Sequence, residues 1–325
     1  MLSVLLSGSL AFDYIMNFPG YFEEHIIPDK IHVLNVSFLV DSLDRQRGGV
    51  AGNIAYTLAL LGEPCKIVAP VGADFADYAE VLTGLGVDVS GIQPLEDAMT
   101  SSAFITTDRA DNQITGFYPG AMKQAGQMSL LDHLSGVDMV VVSPTDPAAM
   151  ERHVREAAEA GLTLVYDPGQ QIISLTPQAL RTGLQTAHLL FGNDYEIAMI
   201  QEKTGYRREQ IVETVPVTVV TLGELGSVIH EAERTIEIPA VPAREVIDPT
   251  GAGDAYRAGL ITAHRRGLPW EVAGRIGSLA ATYVVESKGT QAHAFTPDEF
   301  RERFTVEFPD YASALEQFFV ARAGV

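Results

Sequence analysis

The sequence predicts an α/β fold, a doubly wound and mostly parallel sheet flanked by helices, with a small β lid. Three observations predict it. Apolar runs rich in Val, Leu and Ile recur without alternation, as strands buried on both faces require. Several are coupled to stretches of helical periodicity closed by a glycine. Two further stretches carry short alternating or hairpin-like patterns that a parallel sheet has no place for.

Taken in order, residues 1–12 are apolar but lack a basic leader and run straight into Asp13, so they read as a first strand rather than a targeting segment. A helix is expected from Asn53 (NIAYTLALL), stopped by Gly62. Val137–Val142 (VDMVVV), the helical pattern 147–160, a stop at Gly161 and the run 162–166 ending at Asp167 make a βαβ unit. Residues 188–191 and 217–222 repeat the strand theme, and helices begin at Gly253, closed by Gly267, and at Trp270. The lid is assigned to 14–48 and 98–120; within the second segment, 102–118 reads as a hairpin, SAFITT and ITGFY around a polar DRADNQ turn. No repeat, low-complexity tract or long linker divides the chain, so 1–325 is expected to be a single domain.

Charge narrows the function classes. With 42 acidic against 22 basic residues and a net charge of −20, the surface has the wrong sign for duplex nucleic acid or an anionic membrane. No window approaches the roughly 18 to 20 apolar residues of a membrane span. The single cysteine, Cys65, permits no intrachain disulfide and reads as core, and a reducing, cytoplasmic setting is expected. Eight histidines show no zinc-ligand spacing. The P-loop, nucleophile-elbow and strict dinucleotide-binding signatures are absent.

The strongest local signal is Asp248-Pro249-Thr250-Gly251-Ala252-Gly253-Asp254 running into an amphipathic helix. Glycines there let a loop present backbone N–H groups at a helix N-terminus, where the dipole favours an anion such as phosphate. Asp254 would stand beside it as a base. Spacing alone equally allows a Gly-rich turn followed by an N-terminal helix carboxylate. A second feature, Gly48-Gly49-Val50-Ala51-Gly52-Asn53, lets backbone approach a small ligand while the Asn53 amide offers donor and acceptor to hydroxyls; Asn53 as a plain helix N-cap is the alternative.

These two motifs, in this order, resemble the paired signatures of the ribokinase (PfkB-type) carbohydrate kinase family. The resemblance spans nearly the whole chain and includes Gly8 to Asp13, Asn193-Asp194-Tyr195-Glu196 and Thr221-Leu222-Gly223-Glu224-Leu225-Gly226. It implies a ribokinase-like fold and transfer of the ATP γ-phosphoryl group to a sugar or nucleoside hydroxyl. By the same resemblance Asp254 matches the catalytic base, Gly251, Ala252 and Gly253 the anion hole, and Asp13, Gly48, Gly49 and Asn53 the holders of sugar hydroxyls. Asn193 and Glu196 match the element that organises Mg²⁺ through water, a role that a helix-capping box with the same spacing need not exclude. Thr221, Gly223 and Gly226 match the loop that meets the nucleotide, and the Asp248 region with the 286–289 loop a K⁺ site. Pro249 and Tyr256 depart from the common pattern, and Arg257 is an unusual charge expected to face solvent.

For the acceptor, Phe12, Phe38, Phe117 and Tyr118 offer aromatic faces to a nucleobase, with lid packing as their other use. The stretch from Gly8 through the 20s and SFLVDS resembles adenosine-kinase-like members, so a nucleoside, adenosine first, is expected over the sugar of a ribokinase- or fructokinase-type enzyme. A non-catalytic nucleotide- or sugar-binding regulator is the expectation from another class. The partners are the small-molecule acceptor and ATP, and the protein is a monomer or a homodimer through the lid.

Overall fold

The computed structural model describes residues 2–319 apart from 27, 34, 111, 233 and 317. Thirteen strands are found among the described residues. The first seven are β1 (Ser3–Ser7), β2 (Ala11–Asn17), β3 (Ser42–Gly48), β4 (Cys65–Gly72), β5 (Asp88–Leu95), β6 (Ser101–Thr107) and β7 (Gln113–Tyr118). The rest are β8 (Val137–Val142), β9 (Thr163–Tyr166), β10 (Leu189–Asn193), β11 (Val217–Thr221), β12 (Ser227–Glu231) and β13 (Arg234–Ile238). Nine of them form one sheet in the order β13-β12-β11-β10-β9-β8-β1-β4-β5, and β3-β2-β6-β7 form another.

The large sheet is parallel from β5 to β11 and ends in an antiparallel meander. Its unalternating sequence has a direct cause. Val4 and Leu6 of β1 point into one apolar cluster while Leu5 points into another on the opposite face, and β8 divides its residues the same way, Met139 and Val141 against Val140 and Val142. Helices Val50–Leu60, Ala76–Gly84, Ala252–Arg265, Trp270–Val285 and Pro297–Glu307 cover the first face. Pro147–Glu159, Pro177–Thr186, Asp194–Thr204 and Arg208–Thr214 cover the second. Strand order reverses between β8 and β1, and the carboxyl ends of strands beside such a point open a crevice for ligands.

Two sequence expectations need correction. The stretch 1–12 holds two strand segments: β1 ends at Ser7, the chain bends, and Phe12 already belongs to β2 in the second sheet. The helix expected from Asn53 begins at Val50, because Gly49 takes the capping position with φ of 88° and the Asn53 N–H donates to the Gly49 carbonyl at 2.9 Å. A side chain at 49 would meet the Ser9 carbonyl oxygen at 2.5 Å as well as adopting an unfavourable φ, so only glycine suits that turn. Asn53 is therefore not a cap, and its side chain is free for the site. In the second sheet β6 and β7 pair antiparallel as the expected hairpin; Asp111, in the polar stretch expected between them, lies outside the described residues.

Candidate active site

Helix Ala252–Arg265 starts at Gly251, which holds φ of 83° as its cap; a Cβ there would press on Thr290 at 3.0 Å. The Ala252 N–H turns back to the Pro249 carbonyl at 3.2 Å, so the N–H groups of Gly253 and Asp254 are the ones at this helix start without an earlier helical carbonyl to bond. Asp254 lies at the third helical position, its side chain mostly buried.

The two glycine motifs, 201 residues apart, meet through side chains: Asn53 Nδ2 donates to Asp254 Oδ2 at 2.8 Å. A carboxylate only accepts, so the donor end of the Asn53 amide must face Asp254, and its oxygen must face a donor elsewhere. That donor is Gln291, whose Nε2 reaches Asn53 Oδ1 at 3.0 Å and also donates to the Tyr78 hydroxyl. Tyr78 in turn donates to the Gly48 carbonyl at 3.0 Å. One chain of hydrogen bonds thus runs from Asp254 to the backbone of the first glycine motif, with each donor direction set by the acceptors at its two ends. Neither Tyr78 nor Gln291 carries a local signal in the sequence.

Burial raises the Asp254 pKa above the ordinary carboxyl range, with Arg257 and the Asn53 hydrogen bond pulling it back down and Glu196 pushing up. Arg257 does not face solvent as expected. Its Nε lies 2.7 Å from Asp167 Oδ2, its Nη2 donates to Oδ1 at 3.0 Å, and its Nη1 sits 3.7 Å from Asp254 Oδ1. Asp167 follows β9, at the carboxyl end where a chemistry-bearing carboxylate is expected, and burial pushes its carboxyl up to about 7 against the pull of Arg257. Burial works against the Arg257 charge, but Asp167, Asp254 and Glu196 together raise its pKa above the usual guanidinium value.

Two cavities adjoin this point and share Thr221, Gly223 and Gly253 as a common wall. The polar one, about 490 Å³, is lined by Asp167, Asn193, Glu196, Asp254 and Arg257 among others. Asn193 and Glu196 form a reciprocal capping box, Asn193 Oδ1 accepting from the Glu196 N–H at 2.7 Å and Glu196 Oε2 from the Asn193 N–H at 2.8 Å. That leaves the Glu196 Oε1 uncommitted. The apolar cavity, about 640 Å³, is walled by Gly226, Val241, Pro242, Val246, Pro249, Ala281 and Val285. Three of its hydroxyls are bonded inside the protein: Ser278 donates to the Pro239 carbonyl at 3.0 Å, Thr282 to the Ser278 carbonyl at 2.9 Å, and Tyr256 pairs with Ser227 at 2.6 Å, which accounts for the tyrosine at 256.

Asp13 reaches the site from β2. Its carboxylate fills the space over Gly48, where a Cβ would lie 2.5 Å from Oδ2, and burial with the nearby Asp248 raises its pKa to about 6. Asp248 itself bridges two loops, Oδ1 accepting from the Thr250 N–H at 2.9 Å and Oδ2 from the Gly289 N–H at 3.2 Å. Strand register sorts the aromatic candidates. Asp13, Ala103 and Phe117 form one cross-strand row and share a face. Phe12 and Tyr118 belong to the adjacent row and point to the other face; Phe12 is buried against Phe75 and Tyr78 beneath the Arg45 guanidinium. Phe38 packs with Phe18, Phe22 and His25. Of the four, Phe117 alone is exposed on the face of Asp13.

The pfkB family carbohydrate kinase model matches residues 10–297. A nucleoside kinase of Methanothermobacter thermautotrophicus is 33% identical over 309 residues, 94% of this chain and 96% of the relative. The Burkholderia thailandensis nucleoside kinase in complex with ADP-inosine is 39% identical, with 94% of this chain and 96% of that one covered and a TM-score of 0.81. The Methanocaldococcus jannaschii nucleoside kinase, an archaeal member of the ribokinase family, is 31% identical, with 94% and 99% covered and a TM-score of 0.86.

Proposed function

Since the chain belongs to the pfkB family of carbohydrate kinases and is a phosphotransferase with a hydroxyl acceptor, we propose that it transfers the γ-phosphoryl group of ATP to the 5′-hydroxyl of a ribonucleoside, adenosine first among them. The observation that carries this reading is the Asn53–Asp254 hydrogen bond, which joins the hydroxyl-binding motif to the anion loop. Asp13 and Asn53 grip the vicinal ribose hydroxyls beside Gly48 and Gly49, and the primary hydroxyl then points at Asp254. The base lies along Phe117, one strand beyond Ala103 in the Asp13 row. Nucleoside kinases among the relatives support this acceptor over a bare sugar.

Asp254 takes the hydroxyl proton as the oxygen bonds to phosphorus, while Gly251, Ala252 and Gly253 shape the loop that receives the phosphoryl charge. The ATP base occupies the apolar cavity, and the loop of Thr221, Gly223 and Gly226 meets its ribose and phosphates. Among the described residues no three His, Cys, Asp or Glu side chains are grouped to hold an ion by themselves. Mg²⁺ would therefore arrive with the nucleotide, its waters held by Glu196 and Asn193, and would neutralise phosphate charge when bound. K⁺ would sit among carbonyls of the Asp248 region and the 286–289 loop, since both Asp248 oxygens already accept N–H groups.

The face of the small sheet turned away from Asp13 exposes Leu43, Phe104, Ile114 and Tyr118, which supports that sheet as a lid through which two copies pair. No helix among the described residues is long and apolar enough to cross a membrane; the net charge of −20 supports a protein without nucleic-acid partners, and the lone, buried Cys65 supports a reducing, cytoplasmic setting. Measuring kcat/KM with adenosine, deoxyadenosine, ribose and fructose 6-phosphate, in K⁺ and in Na⁺ buffers, tests the assignment. Adenosine should lead, and deoxyadenosine should be poor because its missing hydroxyl leaves buried polar groups unpaired. A clear preference for either sugar would replace the acceptor and keep the kinase.

A further inference from the structure

Arg257 follows Asp254 by one helical turn, and its side chain folds back toward the start of the helix. Two of its nitrogens face Asp167, Nε at 2.7 Å from Oδ2 and Nη2 at 3.0 Å from Oδ1. The Nη2 hydrogen bond and the close Nε ion-pair contact, in which the Nε itself finds no aligned acceptor among the described residues, hold the guanidinium against a carboxylate only 1% exposed. The remaining nitrogen, Nη1, is turned to the anion loop. It lies 3.7 Å from Asp254 Oδ1 and so close above Gly253 that a Cβ there would sit 2.6 Å from it. The glycine at 253 thus keeps clear the edge along which Nη1 faces the polar cavity.

Among the described residues lining that cavity, Arg257 is the single cation, set among Asp167, Asp194, Glu196 and Asp254. A phosphoryl group entering there meets carboxylates on most sides and one preoriented guanidinium edge. Phosphoryl transfer spreads negative charge over three equatorial oxygens, and a donor fixed in advance stabilises that charge without reorganising. With the Ala252 N–H turned inward to Pro249, the backbone loop offers fewer donors than its sequence suggests.

We propose that Arg257 is a catalytic residue whose Nη1 donates to the non-bridging oxygens of the phosphoryl group in transfer, and that Asp167 is the positioning residue that aims it. The step rests on the kinase reading of the site. The acceptor oxygen forms its bond to the γ-phosphorus as the bond from that phosphorus to ADP breaks, and the acceptor proton passes to Asp254. Arg257 gains and loses no proton.

The test compares wild type with Arg257→Gln, Arg257→Lys and the paired variant Asp167→Asn/Arg257→Gln, the last of which keeps the buried pair uncharged and similar in volume. Measured are kcat, KM for adenosine, the unfolding midpoint, and affinity for ADP with aluminium fluoride and adenosine as a mimic of the transferring group. Arg257→Gln should lower kcat by about 10² to 10³-fold, the scale of one oxyanion donor, and weaken the mimic correspondingly while adenosine KM moves only a few-fold. Arg257→Lys should recover part of kcat, since it keeps charge and loses the fork. The paired variant should regain any stability lost by the single one and none of its turnover. Recovery of kcat in the paired variant, or unchanged mimic affinity in Arg257→Gln, would make the pair merely structural and overturn the proposal. Wild-type activity on a sugar alone would overturn only the nucleoside assignment, and the same variants would then be read on that sugar; no ATP consumption with any acceptor would overturn the kinase reading and this proposal together.

Discussion

The two sheets bury their strands in opposite ways. In the large sheet β1 and β8 have apolar clusters on both faces, and Leu5, Val140 and Val141 are completely buried. In the small sheet every residue of β7 is exposed, and Tyr14 of β2 stacks on Phe104, itself 45% exposed, at a centroid distance of 5.0 Å. The difference matches the proposed chemistry. Asp254, Arg257 and Asn53 sit on helices packed against the large sheet and Asp167 follows one of its strands, so the groups proposed to act on the phosphoryl group and the acceptor hydroxyl inherit the rigidity of a dense core. Asp13 and Phe117, which would meet the acceptor, stand on the thinner element, where a change of side chain disturbs less.

The largest effect that sharpens this contrast is at the rigid end. Asp254→Asn keeps the size of the side chain and removes the proposed proton acceptor, so kcat should fall by about 10² to 10⁴-fold while equilibrium binding of adenosine persists. Turnover within a few-fold of wild type would show that the base is another group and that the rigid half of the site is there for binding alone.

Stability should divide along the same line. Leu5→Ala, in the middle of the large sheet, should cost about 2–5 kcal/mol, because it removes apolar contacts and leaves a cavity that close-packed neighbours cannot fill. Ile114→Ala on β7, 45% exposed, should stay within about 0.5 kcal/mol. Urea unfolding of the two variants measures both. Comparable losses would mean that the small sheet is held as firmly as the core.

What the sequence made legible follows from range. Val137–Val142 was readable to the residue because burial on both faces writes itself into consecutive side chains. The glycine-capped helix start at 251–254 was readable because such a turn needs its glycines close together in the chain. The hydrogen-bond chain was not, since Gln291 meets Tyr78 across 213 positions and Arg257 meets Asp167 across 90, and no local period encodes such pairings. The alternative reading of Asn53 as a cap fails because a glycine at positive φ takes that place four residues before it. Two of the four aromatic candidates, Phe12 and Tyr118, fall away for a related reason: adjacent residues on a strand point to opposite faces, so Phe117 and Tyr118 part company once the register with Asp13 is known. The one available hint was Asp167, a lone carboxylate at the end of an apolar run.

The smallest predicted effect separates the two roles of the small sheet by pH. Burial, aided by Asp248, raises the Asp13 pKa from 3.8 to about 6, so the folded protein without substrate holds that proton more tightly than the unfolded chain does. The stability contributed by this group is therefore full below the unfolded value and is lost as pH rises through about 6. Substrate binding runs the other way. Only the ionised carboxylate accepts from two hydroxyls at once, so adenosine affinity should rise through the same window and be about ten-fold weaker one unit below the transition than on the plateau. Calorimetric titration with adenosine, without ATP, between pH 5 and pH 8 reads the binding limb, and urea midpoints across the same range read the stability limb. Asp13→Asn should flatten both. A binding limb that survives in this variant would assign the titration to Asp254, whose pKa is also raised by burial, and would move control of acceptor affinity from the small sheet to the large one.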